Sequence, residues 1–111
     1  MGNMNGIVGS GLVTPAGGTV LTVAGTLDPD ATGDYYENGT ADGYPKYTTL
    51  DGVYTIRWVT VQDGWILHLT AIAVLAPGEP RWWSGSDDPS DPTGLYYPVL
   101  PATGNPIVNW A

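Results

Sequence analysis

Three Asp-Gly pairs, Asp42-Gly43, Asp51-Gly52 and Asp63-Gly64, stand between apolar runs in the middle of this chain. A two-residue hairpin turn of the primed type needs positive φ at its centre. Asp tolerates that conformation and Gly adopts it freely, so each pair signals a hairpin. Three in succession predict an antiparallel meander over residues 44–83. The intervening segments alternate as half-buried strands do. Tyr54, Ile56 and Trp58 fall on one face and Thr55, Arg57 and Val59 on the other. Trp65, Leu67 and Leu69 oppose Ile66, His68 and Thr70.

The remaining segments read as strands of the same kind. Residues 19–27 are β-branched and form the first strand of the domain. A turn over residues 28–33 leads to a second strand over residues 34–40, which ends at Asn38-Gly39. Pro45 favours an edge position in the strand over residues 44–50. Residues 71–76 either prolong a strand or make one helical turn. Arg81-Trp82-Trp83-Ser84 is a short strand, residues 86–92 an acidic loop, and residues 95–99 a strand interrupted by Pro98. Ile107-Val108-Asn109-Trp110 can close the sheet beside the first strand. No segment carries a helical stripe. A chain of 111 residues with 16 Gly and 10 Pro therefore reads as one all-β domain, residues 19–111. The expected form is a small antiparallel β-sandwich or partly open barrel built from a hairpin meander. Residues 1–18, rich in Gly and without charge, read either as a disordered tail or as an extended N-terminal arm whose apolar pairs Ile7-Val8 and Leu12-Val13 are candidate anchors on a neighbour.

Eleven acids against Lys46, Arg57 and Arg81 give a net charge of -8. Three cations scattered along the sequence do not make the patch that nucleic acid or an anionic membrane requires. With no Cys, thiol catalysis and a closed zinc site are excluded. The first residues have neither a basic region nor a sustained apolar run, so no secretory leader and no spanning helix are expected. His68 is the one histidine. A Ser-His-Asp triad would have to combine it with Ser84 or Ser86, and no nucleophile-elbow pattern is present. A structural role for it is the simpler reading, and no enzyme is expected. Asp28, Asp30 and Thr32 echo the start of a calcium loop but lack the Glu at its twelfth position. Asp87, Asp88 and Asp91 form a second acid group in a Pro-broken loop. Solvated turn acids explain both more simply, so neither a metal site nor a cofactor is expected.

Five Trp and seven Tyr carry all the aromatic mass, and their polar tips favour rims and interfaces. Tyr35-Tyr36, Trp82-Trp83 and Tyr96-Tyr97 are consecutive pairs. Neighbours on a strand point to opposite faces, so one of each pair can fill the core and the other must meet solvent or a partner. Trp82, Trp83, Tyr96 and Tyr97 are accordingly candidate partner-binding residues, and exposed rings of this kind also suit stacking on glycans.

The order Pro29-Asp30-Ala31-Thr32-Gly33, Tyr35, Asn38-Gly39, Gly43-Tyr44-Pro45, Tyr47, Asp51-Gly52, Tyr54, Ile56, Trp58, Trp65, Trp82-Trp83-Ser84, Gly94, Tyr96 and Thr103-Gly104 resembles a small β-rich domain. That domain is found in structural proteins of tailed bacteriophages and in bacterial surface proteins. The resemblance covers residues 19–108 and departs from the pattern over residues 69–80, where an apolar run replaces a polar loop. It implies a fold and no catalytic residues. The expected function is that of a non-enzymatic virion protein, such as a capsid decoration protein, located in the virion. Its expected partners are a major capsid or tail protein and further copies of itself. The alternative is a carbohydrate-binding adhesion module.

Overall fold

Alternation of apolar and polar residues along short, Gly-bounded segments produces strands throughout the computed structural model, which describes residues 20–72, 76–84 and 87–111. Among the described residues eight strands follow in order: β1 (Val20–Ala24), β2 (Gly33–Ala41), β3 (Tyr44–Thr49), β4 (Tyr54–Val59), β5 (Gly64–Leu69), β6 (Arg81–Ser84), β7 (Gly94–Val99) and β8 (Ile107–Trp110). Each pairs antiparallel with the next, and β8 returns to β1, closing a barrel. The all-β meander is as expected. The strands form neither two stacked sheets nor an open barrel, because Leu21 to Ala24 pair with Trp110 to Ile107 and leave no free edge. Residues 1–18, with the anchors Ile7, Val8, Leu12 and Val13, lie outside the described residues.

The three Asp-Gly pairs do three different things. Asp42 and Gly43 have φ of 51° and 83° and join β2 to β3 as a two-residue turn. Asp51 instead accepts the Val53 amide at 3.0 Å and the Thr49 hydroxyl at 2.6 Å within a longer connection. Asp63, left-handed at φ 53°, caps the 3-10 turn Thr60–Gln62. Gly64 already belongs to β5. A Cβ on it would lie 3.1 Å from the Trp83 ring, so glycine lets that ring pack closely.

Other local expectations shift for similar reasons. Asn38-Gly39 is no hairpin end; it sits in a bulge of β2, with Gly39 at φ 77°. Pro45 lies in a strand flanked on both sides, opposite Thr40, while the ladder to β4 pairs Tyr47 and Thr48. Pro98 does not break β7: it pairs with Trp82, and the ladder to β8 runs through Gly94 and Leu95. The chain leaves β5 through a turn in which the Ile72 amide donates to the Leu69 carbonyl at 3.1 Å. Residues 73–75 are outside the described residues.

The interior is filled by side chains, as an eight-stranded barrel allows. Leu21, Tyr35, Tyr47, Ile56, Trp58, Trp65, Leu67, Trp82, Tyr96 and Val108 form its core. Four of the Tyr and Trp polar tips are not at rims; loop carbonyls at both ends satisfy them inside. Tyr35 donates to the Ala31 carbonyl at 2.6 Å, and Trp82 Nε1 to the Thr103 and Gly104 carbonyls at 3.3 and 3.1 Å. At the opposite end Tyr96 donates to the Pro92 carbonyl at 2.6 Å and Trp65 Nε1 to the Asp88 carbonyl at 3.0 Å. Two of these ties belong to a repeated motif that the reading of the sequence passed over. Asp30-Ala31-Thr32-Gly33-Asp34-Tyr35-Tyr36 and Asp91-Pro92-Thr93-Gly94-Leu95-Tyr96-Tyr97 form the same corner. The Asp carboxylate accepts the Thr amide and hydroxyl, the Gly has φ near 125°, and the Tyr hydroxyl reaches back to the residue after the Asp.

Candidate functional site

With the interior occupied, surface chemistry falls on the outer wall and the loops. The adjacent aromatics divide across that wall as alternation requires. Trp82 and Tyr96 are 0 % exposed, whereas Trp83 is 38 % and Tyr97 47 % exposed. This corrects two of the four aromatic partner-binding candidates: Trp82 and Tyr96 are core residues held by loop carbonyls. Trp83 and Tyr97 are direct cross-strand neighbours on the outside. Tyr35 and Tyr36 divide the same way, Tyr35 buried and Tyr36 half-buried.

The Trp83 ring lies on Gly64, which pairs with Val59, and Trp83 itself pairs with Ile66. Val59 and Ile66 form a small apolar cluster separate from the core. Trp83 thus has one side packed and the other open to solvent. The outer row continues through the ladder as Arg57, Ile66, Trp83 and Tyr97. Leu95, two residues before Tyr97 and on the same face, pairs with Ile107, and both are exposed. Trp83, Tyr97, Leu95 and Ile107 therefore make a continuous apolar strip over β6, β7 and β8. Leu95 and Ile107 escaped the reading of the sequence, although two-residue periodicity from Tyr97 reaches Leu95.

The acids do local work. Asp30 accepts the Thr32 hydroxyl at 2.6 Å and its amide at 3.1 Å, and Asp88 does the same for Ser90 at 2.6 and 2.9 Å. These hydrogen bonds hold both carboxyls below the usual range, the side-chain bond contributing most. Among the described residues no three His, Cys, Asp or Glu side chains converge on a metal position. Among the same residues no helix is long and apolar enough to cross a membrane.

His68 faces outward, paired with Thr55 and Arg81. Ser84 lies opposite the inward-facing Tyr96 and is buried. The barrel wall separates them, so this serine cannot serve a triad with that histidine; Ser86 is outside the described residues. His68 Nδ1 is 2.8 Å from the Leu69 carbonyl, which can only accept, so Nδ1 carries the proton. Burial, with smaller contributions from Arg57 and Lys46, lowers its pKa despite that hydrogen bond.

Comparison of the chain with family models, curated proteins and solved structures finds no match. Fold and surface define a closed antiparallel meander barrel with a filled interior and an aromatic strip on its wall.

Proposed function

We propose that the protein is a non-enzymatic structural protein of a bacteriophage particle, a capsid decoration or other accessory virion protein. It binds a major capsid or tail protein, and further copies of itself, through residues 1–18 and the strip of Trp83, Tyr97, Leu95 and Ile107. The observation that supports this reading is the strip. Exposed Trp and Tyr with aliphatic neighbours on a rigid wall have the composition of an interface core. The glycine, aspartate and aromatic positions that resemble the phage domain are also those that shape the turns and corners of this barrel.

Particles assembled without the protein provide the test. Purified full chain should co-sediment with them. The double variant Trp83→Ser/Tyr97→Ser and a chain lacking residues 1–18 should remain folded and stay in the supernatant. Absence of binding by the parent chain, or undiminished binding by both variants, overturns the reading.

A carbohydrate-binding adhesion module is the second reading, favoured by the partly exposed Trp83 ring, which packs against Gly64. It requires that Trp83→Ala abolish a glycan-array signal shown by the parent chain. Trp82→Ala does not serve that test, since its loss would damage the core.

A further inference from the structure

Lys46, Arg57 and Arg81 are the only cations of the chain and His68 its only histidine. Scattered in sequence, they gather in the fold on four consecutive strands, β3 to β6. The register Tyr47↔Ile56 and Thr48↔Thr55, continued by one residue, sets Lys46 beside Arg57. Arg57 pairs with Ile66 and so stands diagonal to His68, which pairs directly with Arg81. All four project outward by alternation. All the Lys and Arg side chains of a protein of net charge -8 thus stand on adjacent strands of one wall.

No ion pair neutralises that charge among the described residues. All eleven acids belong to described residues, and none forms an ion pair with Lys46, Arg57 or Arg81 among them. Arg81 donates to the Ala76 and Glu79 carbonyls at 2.8 and 3.3 Å. Asp34 accepts from Thr22, Asp42 from the Thr60 amide, and Asp51, Asp88 and Asp91 from their own turns. Two buried polar atoms in the patch also have no partner, Arg57 Nε and His68 Nε2. The histidine is only 6 % exposed, so its bare nitrogen is not satisfied by bulk solvent. Arg57 Nε is always a donor. His68 Nε2 becomes one when the ring is protonated, because Nδ1 is already committed to Leu69.

We infer that this patch is an oxyanion-binding site, in which Lys46, Arg57 and His68 receive a carboxylate or phosphoryl group and Arg81 adds charge at its rim. One anion would supply both orphaned atoms with an acceptor and neutralise a like-charged cluster in a single step. Arg57 is half-buried, so part of its guanidinium remains open to a ligand. The groups facing His68 are Lys46 from β3, Thr55 and Arg57 from β4, and Arg81 from β6. None is acidic, so protonation of the ring has to be driven by the incoming ligand. The inference stands independently of the virion reading.

With a single histidine, ring NMR of the full chain reads the site without ambiguity. The His68 titration midpoint would be measured at matched ionic strength in chloride, inorganic phosphate and glucuronate. The expected result is an upward shift of about one pH unit or more, with saturable changes at the backbone amides of Lys46, Arg57, His68 and Arg81. Arg57→Gln should abolish the shift and Lys46→Gln reduce it, with near-ultraviolet circular dichroism unchanged. A response to phosphate alone assigns the site to phosphoryl groups, and a response to glucuronate alone assigns it to carboxylates. The same midpoint in all three salts overturns the inference. So does a shift that persists in the folded double variant Lys46→Gln/Arg57→Gln.

Discussion

Trp82 and Trp83 are neighbours in sequence with opposite fates, and replacing each by Ala measures the difference. Trp82 is 0 % exposed. Its side chain buries roughly 200 Å², which at about 25 cal/mol per Å² gives about 5 kcal/mol of transfer free energy. Deletion also leaves a cavity among Leu67, Tyr96 and their neighbours and strips a donor from the Thr103 and Gly104 carbonyls. Partial collapse and a compact unfolded chain reduce the transfer term, so a loss of about 4–5 kcal/mol is expected. Trp83 keeps 38 % of its surface exposed. The buried remainder corresponds to about 3 kcal/mol by the same coefficient. Water fills the space it leaves, and the retained Cβ still covers part of Gly64, so about 1–2 kcal/mol is expected. Urea unfolding followed by far-ultraviolet circular dichroism avoids the loss of a fluorophore, and equal m-values would show that the unfolded states are comparable. Equal destabilisation by the two changes would refute the division of the pair. Trp83 would then be a structural seal over Ile66 and Val59, with no free face to offer a partner.

Gly104 and Gly43 both have positive φ, 89° and 83°, but a Cβ on Gly104 runs into the Thr26 carbonyl while Gly43 faces open space. Gly43→Ala should lose about 1 kcal/mol, and Gly104→Ala at least about 2 kcal/mol more by disturbing the Asp28–Thr103 bridge, as read by urea unfolding. Tyr96→Phe removes a buried hydroxyl that donates to the Pro92 carbonyl at 2.6 Å and should cost about 1–2 kcal/mol by the same assay. Burial raises the pKa of Tyr35 and Tyr96. Stability should therefore be full below pH 10 and fall above it as the unfolded chain ionises; a flat alkaline limb in pH-dependent melting would contradict this. On the acid side His68, with its pKa lowered below 6.5, binds protons more readily when unfolded. Its contribution is complete above pH 6.5 and falls as pH drops toward the folded value. Asp30, Asp51 and Asp88 are lowered below 3.8, so their contribution is present above that pH and is lost as pH falls through the lowered values. His68→Gln should flatten the upper of these two acid limbs and leave the lower one.

Much of the architecture was legible because it depends on local rules. Alternation marks β4 and β5, Asp42-Gly43 marks a turn of the expected kind, and the β-branched start of the run Ile107 to Trp110 marks the strand that pairs with β1. Closure was not legible, since sandwich and barrel strands share one alternation and differ only in how many pair in a ring. Asp63-Gly64 misled because its glycine serves a contact with Trp83, a residue nineteen positions later in the chain, and no local pattern encodes that. The aromatic polar tips misled for a related reason: the corners at Ala31 and Pro92 bring carbonyls inward to meet Tyr35 and Tyr96. Half of the aromatic site followed from the split pairs, with Trp83 and Tyr97 outward. The cation patch did not follow, because cross-strand neighbours depend on the lengths of the connections between strands, here a 3-10 turn after β4 and a long loop after β5.

The filled interior explains why both proposed surfaces lie where they do. A ligand cavity in a small barrel requires small or absent side chains at inward positions. Here those positions carry Tyr35, Tyr47, Trp58, Trp65, Tyr96 and Trp82, and loop carbonyls tie four of them at the two ends. Recognition is therefore left to outward positions, where a strand can hold an arginine, an indole or a phenol without disturbing its inward neighbour. The row Arg57, Ile66, Trp83 and Tyr97 joins the cation patch to the aromatic strip through one buried aliphatic residue. A partner that presents an anionic group beside an apolar face would engage both at once, and the two contacts would then act with a high effective concentration on one rigid wall. Their independence is open to measurement by a double-mutant cycle. Arg57→Gln and Trp83→Ser should each weaken binding of such a partner, and the pair should lose more than either alone. Additive losses would mean two contacts on a rigid wall. Coupling beyond additivity would mean that Ile66 transmits a rearrangement from one contact to the other.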